Sequence, residues 1–196
     1  MPYSDFKLQQ VQKQFKLSIV EKLGIFSDIA EKPISDYFAA TLEENIPLAV
    51  SINIEKARSE LLVSNVLIEV RKQFNRQISF FSGVEFNVDR EQSLAAFCDF
   101  IISLSPEQLF VEAPVIVVVE AKNENIMSGL GQCIAEMIAV QLFNKQEGNE
   151  VRNTYGVVTS GIGWKFLKLE GNKVYVDLRD YSIESVPQKL LAYCQQ

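Results

Sequence analysis

The chain of 196 residues is 47% hydrophobic and 22% charged, has a net charge of −6 and contains no histidine. Its length suits one domain with a substantial core. The missing histidine excludes Ser-His-Asp and Cys-His catalysis, His-Glu-x-x-His zinc sites and nucleases that use a histidine base. A metal here is therefore expected on oxygen ligands, which points to Mg²⁺ or Mn²⁺. The acidity argues against a broad polyanion-binding face but leaves room for a local basic cleft. Cys98, Cys133 and Cys194 are odd in number and lack metal-ligand spacing. Cys98 and Cys133 lie in apolar segments and read as small core residues in a reducing compartment. The N-terminus lacks signal-peptide character, and no apolar run approaches the roughly 20 residues that cross a bilayer. The expectation is a cytoplasmic protein with no membrane partner.

In chain order, residues 4–16 read as a short amphipathic helix with Phe6, Val11 and Phe15 on its apolar side. Residues 17–30 are ambiguous. Positions 16–21 alternate like a strand, which Gly24 breaks. A helix is expected over 35–44, ending before Pro47. Good helix formers and a wide apolar side predict a longer helix over 55–74. Its Glu60 and Glu69 are nine positions apart and so face opposite ways, with Glu69 assigned to the surface. Strands follow over 79–88, 94–104 and 115–122. The turn-like pieces between them are short, so neighbours should be antiparallel.

The last of these runs, Ala113-Pro-Val-Ile-Val-Val-Val-Glu-Ala-Lys122, organises the chain. Its β-branched residues are apolar on both faces, as in a strand covered on both sides. Glu120 and Lys122 point the same way, about 7 Å apart. Either they pair at the rim of the sheet, or they hold a metal and a reacting group. The strand before it is apolar except for Asp99 in its middle, which costs several kcal/mol unless something pairs with it.

A helix over 128–144 places Gln132 and Glu136 on one face. Strands are then expected over 154–159, 164–169 and 173–178, with a Gly171-Asn172 hairpin, and a helix over 186–193. Trp164 and Phe166 read as core rather than as a base-stacking platform. One domain is expected, comprising an N-terminal helical extension (1–54), a core (55–170) and a C-terminal hairpin strand and helix (171–196).

Taken together, a helix with Glu60, a strand with Asp99, a strand ending Glu120-Ala-Lys122 and a helix with Gln132 resemble the PD-(D/E)XK nuclease superfamily. The resemblance runs from about residue 55 to 169. Cys98-Asp99 stands where Pro-Asp or Gly-Asp is usual. The resemblance implies an α/β (α+β) fold with a restriction-endonuclease-like core, a central mixed β-sheet flanked by helices. It also implies assisting roles for the helical Glu60 and for Gln132.

The chemistry fits that resemblance. Phosphodiester hydrolysis needs a nucleophilic water and neutralisation of transition-state charge, which Mg²⁺ on one or two carboxylates can supply. Asp99 and Glu120 on adjacent strands would share the ion, with the Ala121 carbonyl as an added ligand and Glu60 completing its shell. Lys122, its pKa lowered by partial burial, would orient or deprotonate the water. Gln132 would hold the water or a phosphate. The expected function is a metal-dependent nuclease acting on DNA, with Lys122, Lys145, Arg152, Lys165 and Lys168 as candidate phosphate contacts. A homodimer would pair two clefts. The alternatives are a non-catalytic nucleic-acid- or protein-binding module on the same fold and a purely structural protein with an extensive apolar interface.

Overall fold

The computed structural model describes residues 2–25 and 33–186. The expected helix over 186–193 lies, past its first position, outside the described residues, as do Cys194 and residues 26–30 of the ambiguous stretch. Chain order is α1 (Leu8–Gln14), β1 (Ser18–Lys22), α2 (Asp36–Ile52), α3 (Glu55–Arg58), a π-helical turn (Ser59–Val63), α4 (Ser64–Gln73), β2 (Ser79–Asp89), β3 (Leu94–Ser103) and β4 (Val115–Ala121). After these come α5 (Leu130–Gln146), β5 (Asn153–Thr159), β6 (Gly163–Glu170), β7 (Lys173–Asp177) and the short β8 (Tyr181–Ser182). Single 3-10 turns precede α1 and α5.

The strands form one mixed eight-stranded sheet, ordered β1-β7-β6-β5-β4-β3-β2 with β8 beside β6. The pairs β2–β3 and β3–β4 are antiparallel, as their short connections require. β4 and β5 run parallel, joined by the crossover helix α5. β4 is buried along its whole length, because its valines are covered on both sides. Val117 and Val119 pack with Leu62, Val66 and Phe166 under α2 and α4, whereas Val118 packs with Ile134 and Val140 of α5. Trp164 and Phe166 belong to the first of these cores, as expected, and Cys98 and Cys133 are buried free thiols in the second. The helical stretch Ile126–Gln146 is long and apolar enough to cross a membrane, contrary to expectation, but 61% of its most apolar window is buried inside the fold.

Two helices depart from expectation. α2 runs through Pro47 to Ile52 instead of stopping before it. Proline removes one backbone bond, to Glu43, but Glu43 and Pro47 are exposed, where water can serve the carbonyl. The stripe Phe38, Leu42 and Ala49 is buried on both sides of the proline, and α2 packs against the π-helical turn. Packing thus outweighs the local break. Glu69, assigned to the surface, is only 1% exposed. Its carboxylate accepts from Ser35 N–H at 2.9 Å and Ser35 Oγ at 2.7 Å, while Ser35 Oγ accepts from Phe38 N–H at the start of α2.

The 55–74 helix is continuous but interrupted by its π-helical turn, where Ser64 N–H reaches the Ser59 carbonyl. The Leu61 carbonyl accepts the side-chain amides of Asn45 and Asn65, both at 2.9 Å. Such insertions re-aim one turn of a helix relative to the next and recur at functional sites.

Candidate functional site

The sheet opens where β4 ends. Pairing of β3 with β4 stops at Phe100–Val119, while β4 keeps its parallel pairing with β5 to Ala121–Thr159. Lys122 N–H adds one more bond to the Thr159 carbonyl at 2.7 Å. On the opened side, Asp99 Oδ2 accepts Ala121 N–H at 2.8 Å, replacing the ladder bond lost there. This is the partner that explains an aspartate in the middle of β3. The Arg58 guanidinium fixes the loops beyond both strands by donating to the Asn123 carbonyl at 3.0 Å and the Ser160 carbonyl at 3.1 Å.

Glu120 follows Val118 onto the α5 side and is 1% exposed. Both its oxygens are engaged. Lys122 Nζ donates to Oε1, and Gln132 Nε2 donates to Oε2 at 2.7 Å. The same Gln132 nitrogen donates to Glu136 Oε1 at 3.1 Å, and Gln132 Oε1 accepts from Lys122 Nζ at 3.3 Å. A Cβ at Gly129 would come within 3.2 Å of the Lys122 stem, so glycine there lets the lysine lie beneath the approach to α5. Asp99 lines a pocket of about 180 Å³ with Glu55, Lys56, Ser59, Ser82, Gly83 and Ala121.

Electrostatics follow from burial. Glu120 is pushed up to about 7, first by burial and then by the Asp99 charge, against the pull of Lys122. Glu136 is fully buried, and burial followed by the Glu120 charge holds it well above the usual carboxylate range. Burial pulls Lys122 down, but Glu120, with smaller contributions from Glu55 and Asp99, outweighs it and leaves the pKa raised. This corrects the expected lowering: Lys122 is an ammonium held by its carboxylate, suited to donate hydrogen bonds and offset negative charge rather than to accept a proton.

The structure brings Glu120, Lys122 and Gln132 into direct contact and joins Asp99 to them through the Ala121 backbone. It does not bring Glu60. That side chain is 61% exposed and paired at 2.9 Å with Lys56, which lines the pocket in its place. Glu55, at the start of α3, lines the pocket instead. It stands at a helix start just after the left-handed Asn53, a backbone turn that the sequence pattern does not announce. Among the described residues, no three acidic or thiol groups are grouped so as to hold a metal ion.

The other cations do not converge on the site. Arg152 and Lys168 pair with Glu170 towards the opposite ends of β5 and β6. Lys145 stands in the last turn of α5. Lys165 shares the row of Glu120 two strands away, about 10 Å by strand spacing. It is buried and donates to the Asp177 carbonyl and to Asp180. No protein-family model and no curated protein matches the chain.

Proposed function

We propose that this protein is a metal-dependent phosphodiester hydrolase with a restriction-endonuclease-like core, resembling PD-(D/E)XK nucleases and acting on DNA. The observation that carries the reading is the hydrogen-bonded cluster of Glu120, Lys122 and Gln132 at the end of a fully buried strand, with the Asp99 carboxylate on the next backbone N–H. A fold gains nothing from setting a buried Glu120 beside the Asp99 charge, which adds to burial in raising the Glu120 pKa, and a cation between them removes the penalty. The donor set suits a hard ion. Its candidates are all oxygens, and Mg²⁺ ordinarily takes one or two carboxylates and completes its shell with waters and substrate phosphates.

Asp99, Glu120 and the Ala121 carbonyl would hold the ion, and Glu55 rather than Glu60 is the helical acid placed to assist. Mg²⁺ or Mn²⁺ bound there would supply a polarised water and neutralise charge on the phosphoryl oxygens. Lys122, freed from Glu120 as that carboxylate turns to the metal, would set its ammonium against the developing negative charge. Gln132 would hold the attacking water or a phosphoryl oxygen with its amide.

A second reading has its own support. Both oxygens of Glu120 are already engaged, as expected if the cluster only closes the fold of a non-catalytic binding module. Isothermal titration of Mg²⁺ and Mn²⁺ into wild type and Asp99→Ala, with and without DNA, separates the two. The hydrolase binds a divalent ion, loses it in Asp99→Ala and nicks plasmid or single-stranded DNA. If wild type binds no ion even with DNA present, the hydrolase reading fails and the binding module stands.

A further inference from the structure

The geometry points to Glu136 as the positioning residue of this site: it fixes the Gln132 carboxamide so that nitrogen faces Glu120 and oxygen faces Lys122. As a role in catalysis this rests on the hydrolase reading, but the orientation itself does not. A glutamine amide has two near-equal orientations, differing by a half-turn, and its neighbours must choose between them. Lys122 and Glu120 each favour the observed one, but both would be drawn away to an ion and a phosphate. Glu136 is one helical turn below Gln132 and takes its second N–H hydrogen at 3.1 Å. It sits on the rigid middle of α5, so it keeps the amide turned the same way when the others move.

Three observations set Glu136 apart from a polar residue of the core. It is 0% exposed. Its carboxyl also faces that of Glu120, which acts on it both by charge and through a side-chain hydrogen bond. The charges that act on it most strongly from neighbouring elements, Glu120 and then Asp99, are both acids. A residue kept for stability alone would be an aliphatic one here, because a buried acid pressed against a second carboxyl destabilises its surroundings. Such violations of local economy fall where a site needs them. An outer partner that orients a site ligand is typically worth roughly 10- to 100-fold in affinity or activity.

The test compares Glu136→Leu and Glu136→Gln with wild type by side-chain amide NMR of Gln132, unfolding stability and Mn²⁺-dependent cleavage. Expected for Glu136→Leu are equal or greater stability, loss of exchange protection at one Gln132 amide proton, and a kcat lowered roughly tenfold or more at unchanged KM. Glu136→Gln keeps an acceptor and restores both protection and most of kcat. Gln132 signals unaltered in Glu136→Leu would overturn the inference, as would equal destabilisation by both variants, which makes Glu136 a fold residue. Should wild type neither bind Mn²⁺ nor cleave, the hydrolase reading has failed, and the NMR comparison still decides the orientation.

Discussion

Replacing Glu120 by glutamine should flatten the pH dependence of stability in a direction opposite to that of most proteins. In the folded chain the Glu120 pKa is about 7, against an ordinary value of 4.5. A group whose folded pKa is raised binds its proton more tightly when folded. The stability it contributes is therefore complete below pH 4.5 and is lost as pH rises through 7. At about 1.4 kcal/mol per pH unit, the shift corresponds to about 3 kcal/mol lost between pH 4.5 and neutrality. Glu136 acts in the same direction, so wild type should be markedly more stable to urea at pH 5 than at pH 8. Glu120→Gln keeps the side-chain shape and removes the titration, so its loss over that range should be smaller by about 3 kcal/mol. The raised Lys122 pKa acts only above 10.5 and leaves this window untouched. Urea denaturation of both chains from pH 5 to pH 8 is the assay. Parallel curves would refute the argument that Glu120 is a desolvated carboxylate crowded by Asp99. A divalent ion at this site should also stabilise wild type at pH 8, and not Glu120→Gln, since a ligand bound only by the folded state shifts the equilibrium by mass action.

Other substitutions test the remaining parts. Glu55→Gln should weaken divalent-ion binding and cleavage, while Glu60→Gln should leave both unchanged and alter stability by no more than about 0.5 kcal/mol, as for an exposed pair; titration calorimetry on the two variants reads this, and the reverse ranking would restore Glu60. Gly131→Ala would drive a methyl to 2.3 Å from the Phe6 carbonyl oxygen and 2.7 Å from Leu8 N, backbone atoms with no freedom to yield. It should cost about 1–3 kcal/mol despite alanine's helix preference, measured by denaturant unfolding, and a neutral effect would contradict that close approach. Burial pushes Glu69 up, but hydrogen bonds from Gln73 and Ser35 outweigh it and leave its pKa lowered. Glu69→Leu should cost about 1–3 kcal/mol at pH 7, and that cost should fade as pH falls below 4.5, where the wild-type carboxylate takes up its proton.

Much of the frame was legible because β-branched runs and short turns are local signals. The strands β2 to β4, their antiparallel order and the core helix α5 follow from period and propensity alone. The cluster of Glu120, Lys122 and Gln132 was legible for the same reason, since strand alternation and a helix start set which side chains meet. What sequence could not supply came from longer range. The choice between Glu55 and Glu60 depends on which turn of a helix overhangs the sheet end, and the π-helical insertion at Ser59–Val63 hides that from simple periodicity. Glu69 looked like a surface residue because its partner is Ser35, outside its own helix. The direction of the Lys122 shift depends on a balance between burial and one carboxylate, which composition does not reveal. Pro47 was read as a stop because its cost is local, whereas the packing that outweighs it is tertiary.

The parallel pairing of β1 with β7 has a consequence for how the protein is made. Ser18 meets Lys173 and Lys22 meets Asp177, so the seventh strand-forming run to leave the ribosome must appear before the first can be placed. During that interval the residues of β1 have no partner, and once β6 and β7 have paired, β7 presents an open edge of unpaired N–H and C=O groups to any neighbouring chain. Closure between segments so distant in sequence is slow compared with helix formation. Nascent chains of this protein should therefore be most prone to self-association in the brief period after Asp177 emerges and before β1 docks.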